Sequence, residues 1–218
     1  MKDLRDARLY TFVDTAYLHG RDPAEVTREL CAGGSDIIQL RAKNQSFETV
    51  LRLAEKLLPI TREAGVPLVI NDHLEVAIKV GADFVHLGQE DFFDAGHKHR
   101  SDLAALRPPL QLGLSSHSPE QAERAVIAAA DYVAVGPVFA TETKPGRPAV
   151  TVEYVRWAAS NLTIPWFAIG GVTLATIDEV LAAGAQRVCV VSAILNATSI
   201  STACREFRRR ISLGTQAC

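Results

Sequence analysis

Two apolar runs in the chain end in carboxylates: Asp72 closes "PLVIND" and Asp91 closes "FVHLGQED". A third run, "DIIQLRAK", carries Gln39, Arg41 and Lys43 at every second position. On a strand, residues two apart face the same way, so an amide, a guanidinium and an ammonium are turned toward one cavity. Such a wall suits a polyanion, because Arg offers a planar fork and Lys a point charge. A salt-bridged rim is the plainer alternative. On neighbouring strands, Asp72 and Asp91 would place two hard oxygen donors beside that wall. Mg²⁺ favours one or two carboxylates completed by phosphate oxygens, so the pair fits Mg²⁺ shared with a phosphorylated substrate. The alternative for Asp72 is a cap on the helix that begins in "NDHLEVA".

Further candidates follow along the chain. Gly170-Gly171 and Val191-Ser192 fit a phosphate site built from bare backbone N–H groups, although a tight turn would also demand the glycines. The loop "ATETKPGRP" is polar and holds two prolines and a glycine, as a lid over a site would. Within it Thr141 and Thr143 offer hydroxyls and Lys144 a cation, and the lid is expected from Thr141 to Pro148. His97 and His99 lie in a charged stretch and are expected to be solvated. His86 sits inside an apolar strand, as a satisfied core histidine, whereas His117 falls at the mouth with its role open.

These residues need elements to position them, and the chain repeats itself to supply them. "GGSDIIQLRAK", "VGADFVHLGQE", "AAADYVAVGPV" and "AGAQRVCVVSA" share small residues, then Asp or Gln, then a mostly apolar run, recurring roughly every 50 residues. Four further runs, "RLYTFVD", "VPLVIND", "LQLGLSS" and "IPWFAIGG", lie between them. Helical periodicity fills the gaps. "SFETVLRLAEKLLPITREAG" spaces Phe47, Leu51, Ala54 and Leu58 for one face, and Ser118-Pro119 opens "SPEQAERAVIAAA" as a cap and first helical residue. Eight buried runs alternating with helices predict parallel strands closed into a single-domain α/β (β/α)₈ barrel over residues 1–218, with an open doubly wound sheet as the runner-up. A polar, frayed tail is expected from about residue 205. In such a barrel the active site lies at the C-terminal ends of the strands, so every candidate above belongs to one mouth.

Composition excludes other classes. The chain has 218 residues, 48% of them hydrophobic, with 23 basic against 25 acidic side chains. That balance argues against nucleic-acid binding. The charged N-terminus and the lack of a long apolar run argue against a secretion signal and a membrane span. Cys31, Cys189, Cys204 and Cys218 show no paired spacing, as expected of a reduced, cytoplasmic protein. A homo-oligomer is left open.

The motifs "QLRAK", "IND", "HLGQED", "GLSSHS", "GPVFATETKPG", "AIGG" and "VVSAI", in this order across nearly the whole chain, resemble those of the thiamine phosphate synthases. The resemblance implies a Mg²⁺-dependent transferase on a (β/α)₈ barrel. It would couple 4-amino-5-hydroxymethyl-2-methylpyrimidine diphosphate to 4-methyl-5-(2-phosphooxyethyl)thiazole, or to its carboxylated form, giving thiamine monophosphate and diphosphate. Carried over by position, Gln39, Arg41, Lys43, Asn71, Ser115 and Lys144 become contacts of the pyrimidine diphosphate. Asp72 and Asp91 become the Mg²⁺ ligands, and Thr141, Glu142, Thr143, Gly171, Val191 and Ser192 the thiazole-phosphate site. Arg41, Lys43 and Lys144 would neutralise the departing charge. Ala42 stands where the family commonly has an acid, but alternation points it away from the mouth. The stretch "FFDAGHKHR" is longer than usual and is expected to reshape its rim. The alternatives are a thiazole tautomerase-like isomerase, with His117 as its acid–base residue, and a non-catalytic barrel that binds a phosphorylated ligand.

Overall fold

Each repeat places small residues where a helix must stop and β-branched or aromatic residues where a strand must be buried on both faces. The computed structural model describes residues 4–141 and 149–214. Its strands are β1 (Leu9–Asp14), β2 (Ile37–Arg41), β3 (Leu68–Asn71), β4 (Phe84–Leu87), β5 (Gln111–Ser116), β6 (Tyr132–Val135), β7 (Trp166–Ala168) and β8 (Val188–Cys189). They pair in sequence order into a closed barrel, all parallel, with β1 bonded to both β2 and β8. The expected single-domain (β/α)₈ barrel is present, and closure removes the open-sheet alternative.

Around it run α1 (Pro23–Ala32), α2 (Phe47–Glu63), α3 (Leu74–Val80), α4 (Pro119–Ile127), α5 (Thr151–Asn161), α6 (Ile177–Ala182), α7 (Ser192–Leu195) and α8 (Ile200–Gly214). Ser118 caps α4 by accepting from the Gln121 N–H, with Pro119 at the first turn, as its sequence predicts. Among the described residues no helix is long and apolar enough to cross a membrane.

Two expectations change. Between β4 and β5 there is no α-helix; one wide turn (Glu90–Asp94) and a short 3-10 turn (Arg100–Asp102) connect the strands. Phe92 is fully buried there and does the packing that a helix face does elsewhere. His99 caps the 3-10 turn and is exposed, whereas His97 is half-buried beside the Phe92 ring. The segment from 205 is not frayed through residue 214. It continues α8, whose buried Ile200, Cys204, Phe207 and Ile211 form a helical stripe that the arginines between them disguise.

The polar residue of the repeat has a structural task. Asp36 accepts from the Leu9 N–H of β1 at 3.0 Å, Asp83 from the Leu68 N–H of β3 at 2.9 Å, and Asp131 from the Leu112 N–H of β5 at 2.7 Å. Each carboxylate at the foot of an even strand thus pins the start of the odd strand before it. In the fourth repeat Gln186 accepts from the Arg8 side chain instead, at 3.4 Å. Asp36 also takes the Arg8 N–H at 2.9 Å and the Arg208 guanidinium of α8 at 2.8 Å, which ties β1, β2 and the last helix together.

Asp36→Ala leaves two backbone donors and a guanidinium without that acceptor in a site where Asp36 is only 2% exposed. The expected loss is about 3–5 kcal/mol, measured by urea unfolding. Asp36→Asn, which keeps an acceptor oxygen, is expected to lose less.

Candidate active site

Alternation decides which side chains enter the barrel. Tyr10, Phe12, Ile37, Val69, Phe84, Tyr132, Phe167 and Cys189 form an inner cluster separate from the larger core between strands and helices. Tyr132 fits because its partner in register is Gly113, where a Cβ would lie 2.1 Å from the Tyr132 ring. Above this aromatic floor opens a cavity that is continuous with solvent at its rim. Ala42, as alternation requires, faces outward and is buried in the outer core.

Gln39, Arg41, Asn71, Ser115, Thr141, Gly171, Val191 and Ser192 all line this cavity. They come from the ends of β2, β3, β5, β7 and β8 and from the loop after β6, so the fold brings together side chains more than 150 positions apart in the chain. Lys43 does not line it. The strand ends at Arg41, and Lys43 lies in an exposed turn beside Asn44, whose φ is 63°. The every-second-residue rule holds only while the chain is extended. Glu142, Thr143 and Lys144, with most of the expected lid, lie outside the described residues.

Arg41 is buried and donates to Asp14 at 2.6 Å, its register partner on β1. Asp14 itself is 1% exposed, and a buried carboxylate of this kind is held by its cationic partner. Asp14 closes an apolar run at the mouth just as Asp72 and Asp91 do, but its role as the partner of Arg41 is not legible in the sequence. Tyr10 carries the same kind of signal, a polar tip inside an apolar strand. Gln89, just past the end of β4, donates to the Ser115 carbonyl at 2.5 Å and accepts from Arg124 of α4, whose guanidinium lies 3.8 Å from the Phe93 ring centroid. The loop after β4 is thereby fastened to the end of β5.

Asp72 follows β3 in a left-handed conformation, φ 63°, with its N–H on the His86 carbonyl. It does not cap α3; His73 occupies the cap position and no side-chain bond is made there. Asp91 is exposed after β4, its carboxylate folded back to the Gly88 N–H at 3.3 Å. Neither lines the cavity itself; both sit on its β3–β4 rim. Among the described residues no group of three or more His, Cys, Asp or Glu converges as a metal cage. Two rim carboxylates fit a Mg²⁺ that draws its remaining oxygens from substrate and water.

The glycine pair serves packing and site together. Gly170 has φ 99°, and a Cβ there would lie 2.4 Å from Pro137 Cα; Gly171 has φ 66°, and its Cβ would lie 2.6 Å from Phe139 Cβ. The loop after β6 is stapled to this turn by Val138 N–H on the Ile169 carbonyl and Phe139 N–H on the Gly170 carbonyl. His86 is satisfied on both nitrogens, as expected of a core histidine. His117 donates from Nδ1 to the Gly136 carbonyl, and its backbone N–H donates to Gln121 Oε1. Cys31, Cys189 and Cys204 are free thiols. Burial pushes Cys31 up to about 11 and Cys204 up to about 12, so neither is a thiolate at neutral pH.

The family model described as thiamine monophosphate synthase matches residues 9–194. The chain belongs to that family. Its activity is thiamine-phosphate synthesis, a transferase reaction. A thiamine-phosphate synthase of Thermus thermophilus is 46% identical over 186 residues, 85% of this chain and 87% of its own. That of Methanoregula boonei is 40% identical over 206 residues, covering 93% and 92%. The structure of a thiamine phosphate pyrophosphorylase from Pyrococcus furiosus superposes with a TM-score of 0.83 at 29% identity, over 95% of this chain and 96% of that one. Neither the tautomerase-like isomerase nor the non-catalytic barrel finds support among these relatives.

Gly170→Ala would drive a side chain into Pro137 backbone and hold a non-glycine residue at positive φ. A loss of about 1–3 kcal/mol is expected in thermal or chemical unfolding, together with lower synthase turnover, because the loop carrying Thr141 is fastened at that turn.

Proposed function

We propose that the cavity couples 4-amino-5-hydroxymethyl-2-methylpyrimidine diphosphate to 4-methyl-5-(2-phosphooxyethyl)thiazole. The carbon–oxygen bond to diphosphate breaks, and the leaving group takes the electron pair. The pyrimidine cation so formed is stabilised by its amino group, and the thiazole nitrogen captures it. Thiamine monophosphate and diphosphate result. The observation that carries this reading is the division of one cavity into two poles. On β2 and β3 stand Gln39, Arg41 and Asn71; on β7 and β8 stand Gly171, Val191 and Ser192.

At the first pole Arg41, aimed by Asp14, meets the departing negative charge, while Gln39, Asn71 and Ser115 orient the pyrimidine. The second pole receives the thiazole's phosphate. The aromatic floor of Tyr10 and Phe12 keeps water from the cation. Such chemistry needs charge neutralisation and alignment more than proton transfer, which agrees with a site rich in fixed polar groups. When bound, Mg²⁺ adds positive charge at the diphosphate, and Asp72 and Asp91 would hold it. We assign Lys43 and Lys144 to the same anion from the motif pattern, and Thr141, Glu142 and Thr143 to the thiazole phosphate. The absence of paired cysteine spacing supports a cytoplasmic location.

A coupled assay for thiamine phosphate with both substrates tests the reading directly, and a chain that bound both without turnover would refute it. Arg41→Ala is expected to weaken the pyrimidine diphosphate by about 1.5–3 kcal/mol, as for a charged hydrogen bond, and the thiazole phosphate far less. Calorimetric titration of each ligand checks this, and equal losses would remove Arg41 from the diphosphate pole. Asp91→Asn keeps the shape of the rim but removes its charge. Most Mg²⁺-dependent turnover should vanish while the melting temperature stays nearly unchanged. Normal Mg²⁺-dependent turnover in both Asp72→Asn and Asp91→Asn would put the metal elsewhere.

A further inference from the structure

A file of polar side chains crosses the barrel beneath the cavity. Gln39 Nε2 donates to the Tyr10 hydroxyl at 2.6 Å, and the Tyr10 and Tyr132 hydroxyls are 2.9 Å apart. The Tyr132 hydroxyl is 2.9 Å from His86 Nδ1, and His86 Nε2 is 2.9 Å from Ser115 Oγ. The five residues come from β2, β1, β6, β4 and β5, and none is more than 7% exposed. Its two ends, Gln39 and Ser115, line the cavity; Tyr132, near its middle, does not.

Counting hydrogens gives the file a direction. A phenol has one hydrogen to donate, and a neutral imidazole has one N–H and one bare nitrogen. The Tyr10 oxygen receives the Gln39 amide, and within the file its own hydrogen finds an acceptor only on the Tyr132 oxygen. The Tyr132 hydrogen then passes to His86 Nδ1. That leaves the imidazole hydrogen on Nε2, donated to Ser115 Oγ. The hydrogen of Ser115 remains for the cavity, and so does the carbonyl oxygen of Gln39. Burial holds both phenols protonated well above their usual range, so neither tyrosine in the middle of the file loses its hydrogen at working pH.

We propose that Tyr132 is a positioning residue for the synthase reaction: it holds His86 as the Nε2–H tautomer and thereby presents Ser115 as a donor and Gln39 as an acceptor to the pyrimidine substrate. The proposal rests on the reading that Gln39 and Ser115 meet that substrate. It adds a requirement that no cavity-lining residue reveals, since the residue responsible is fully buried within the floor itself. The same file couples two walls of the cavity, so a change at Tyr132 is felt at both.

The tautomer is measured first on the whole protein without substrate, by long-range ¹H–¹⁵N correlation with ¹⁵N-labelled histidine. His86 is expected to show a protonated Nε2 and a bare Nδ1. A hydrogen on Nδ1 would reverse the file and overturn the proposal, whatever the activity. Tyr132→Phe keeps the ring beside Gly113 and removes the donor to Nδ1. It should mix the two His86 tautomers and lower kcat about tenfold, with the KM for the thiazole phosphate little changed. Tyr10→Phe removes a phenol from the same aromatic layer but leaves Tyr132 free to donate to His86, so its tautomer should stay Nε2–H. Equal tautomer populations in the two variants, or an unchanged kcat in Tyr132→Phe, would reduce Tyr132 to a packing role. If wild-type protein showed the Nε2–H tautomer but no turnover, the failure would lie with the assigned reaction and not with the file.

Discussion

Closure of the strands is the constraint on which the rest depends. β1 is bonded on both edges, so no strand edge is left and every inward side chain must share one interior. Aromatic rings fill much of that interior. Tyr10 stacks on Phe12 at 5.3 Å between centroids, and Tyr132 meets Tyr10, Phe84 and Phe167 edge-on. Rings of this size fit only where a neighbour gives way, and Gly113 gives way to Tyr132. The carboxylates of Asp36, Asp83 and Asp131 set the register from below by pinning alternate strands at their starts.

Filling a barrel with tyrosines creates an obligation. A buried hydroxyl without a partner is costly, and two of them stand at the centre of this one. The file from Gln39 to Ser115 discharges that obligation, and it does so with residues that also form the cavity. Packing and site chemistry are therefore the same structure seen at different depths. The polar groups of the mouth are fixed before any substrate arrives, which is the condition for electrostatic stabilisation without reorganisation.

The mouth follows the same economy of partners. Arg41 is held by Asp14 across adjacent strands, Ser115 by Gln89 through its carbonyl, and Gln89 by Arg124 of a helix outside the barrel. The turn at Gly170 and Gly171 admits the neighbouring loop to within contact of its backbone. The β3–β4 rim keeps its carboxylates near solvent.

By itself the sequence determined the barrel, because a repeat of small residues, an acid and a buried run, eight strands in all, leaves few other ways to hide both faces of each strand. It also determined most of the cavity. Gln39, Arg41, Asn71, Ser115, Gly171 and Ser192 stand at strand ends, and strand ends are legible from where apolar runs stop. The sequence did not disclose where extension ceases, so Lys43 was carried past the end of β2, and the missing helix after β4 and the helical stripe of α8 were obscured by local charge. Nor did it disclose pairings. Asp14 belongs to Arg41 and Tyr10 to Tyr132 only because closure sets β1 beside β2 and brings β6 across the interior. The physical reason is that periodicity reports which way a side chain points relative to its own chain, whereas a hydrogen bond depends on which other chain segment the fold has placed 3 Å away.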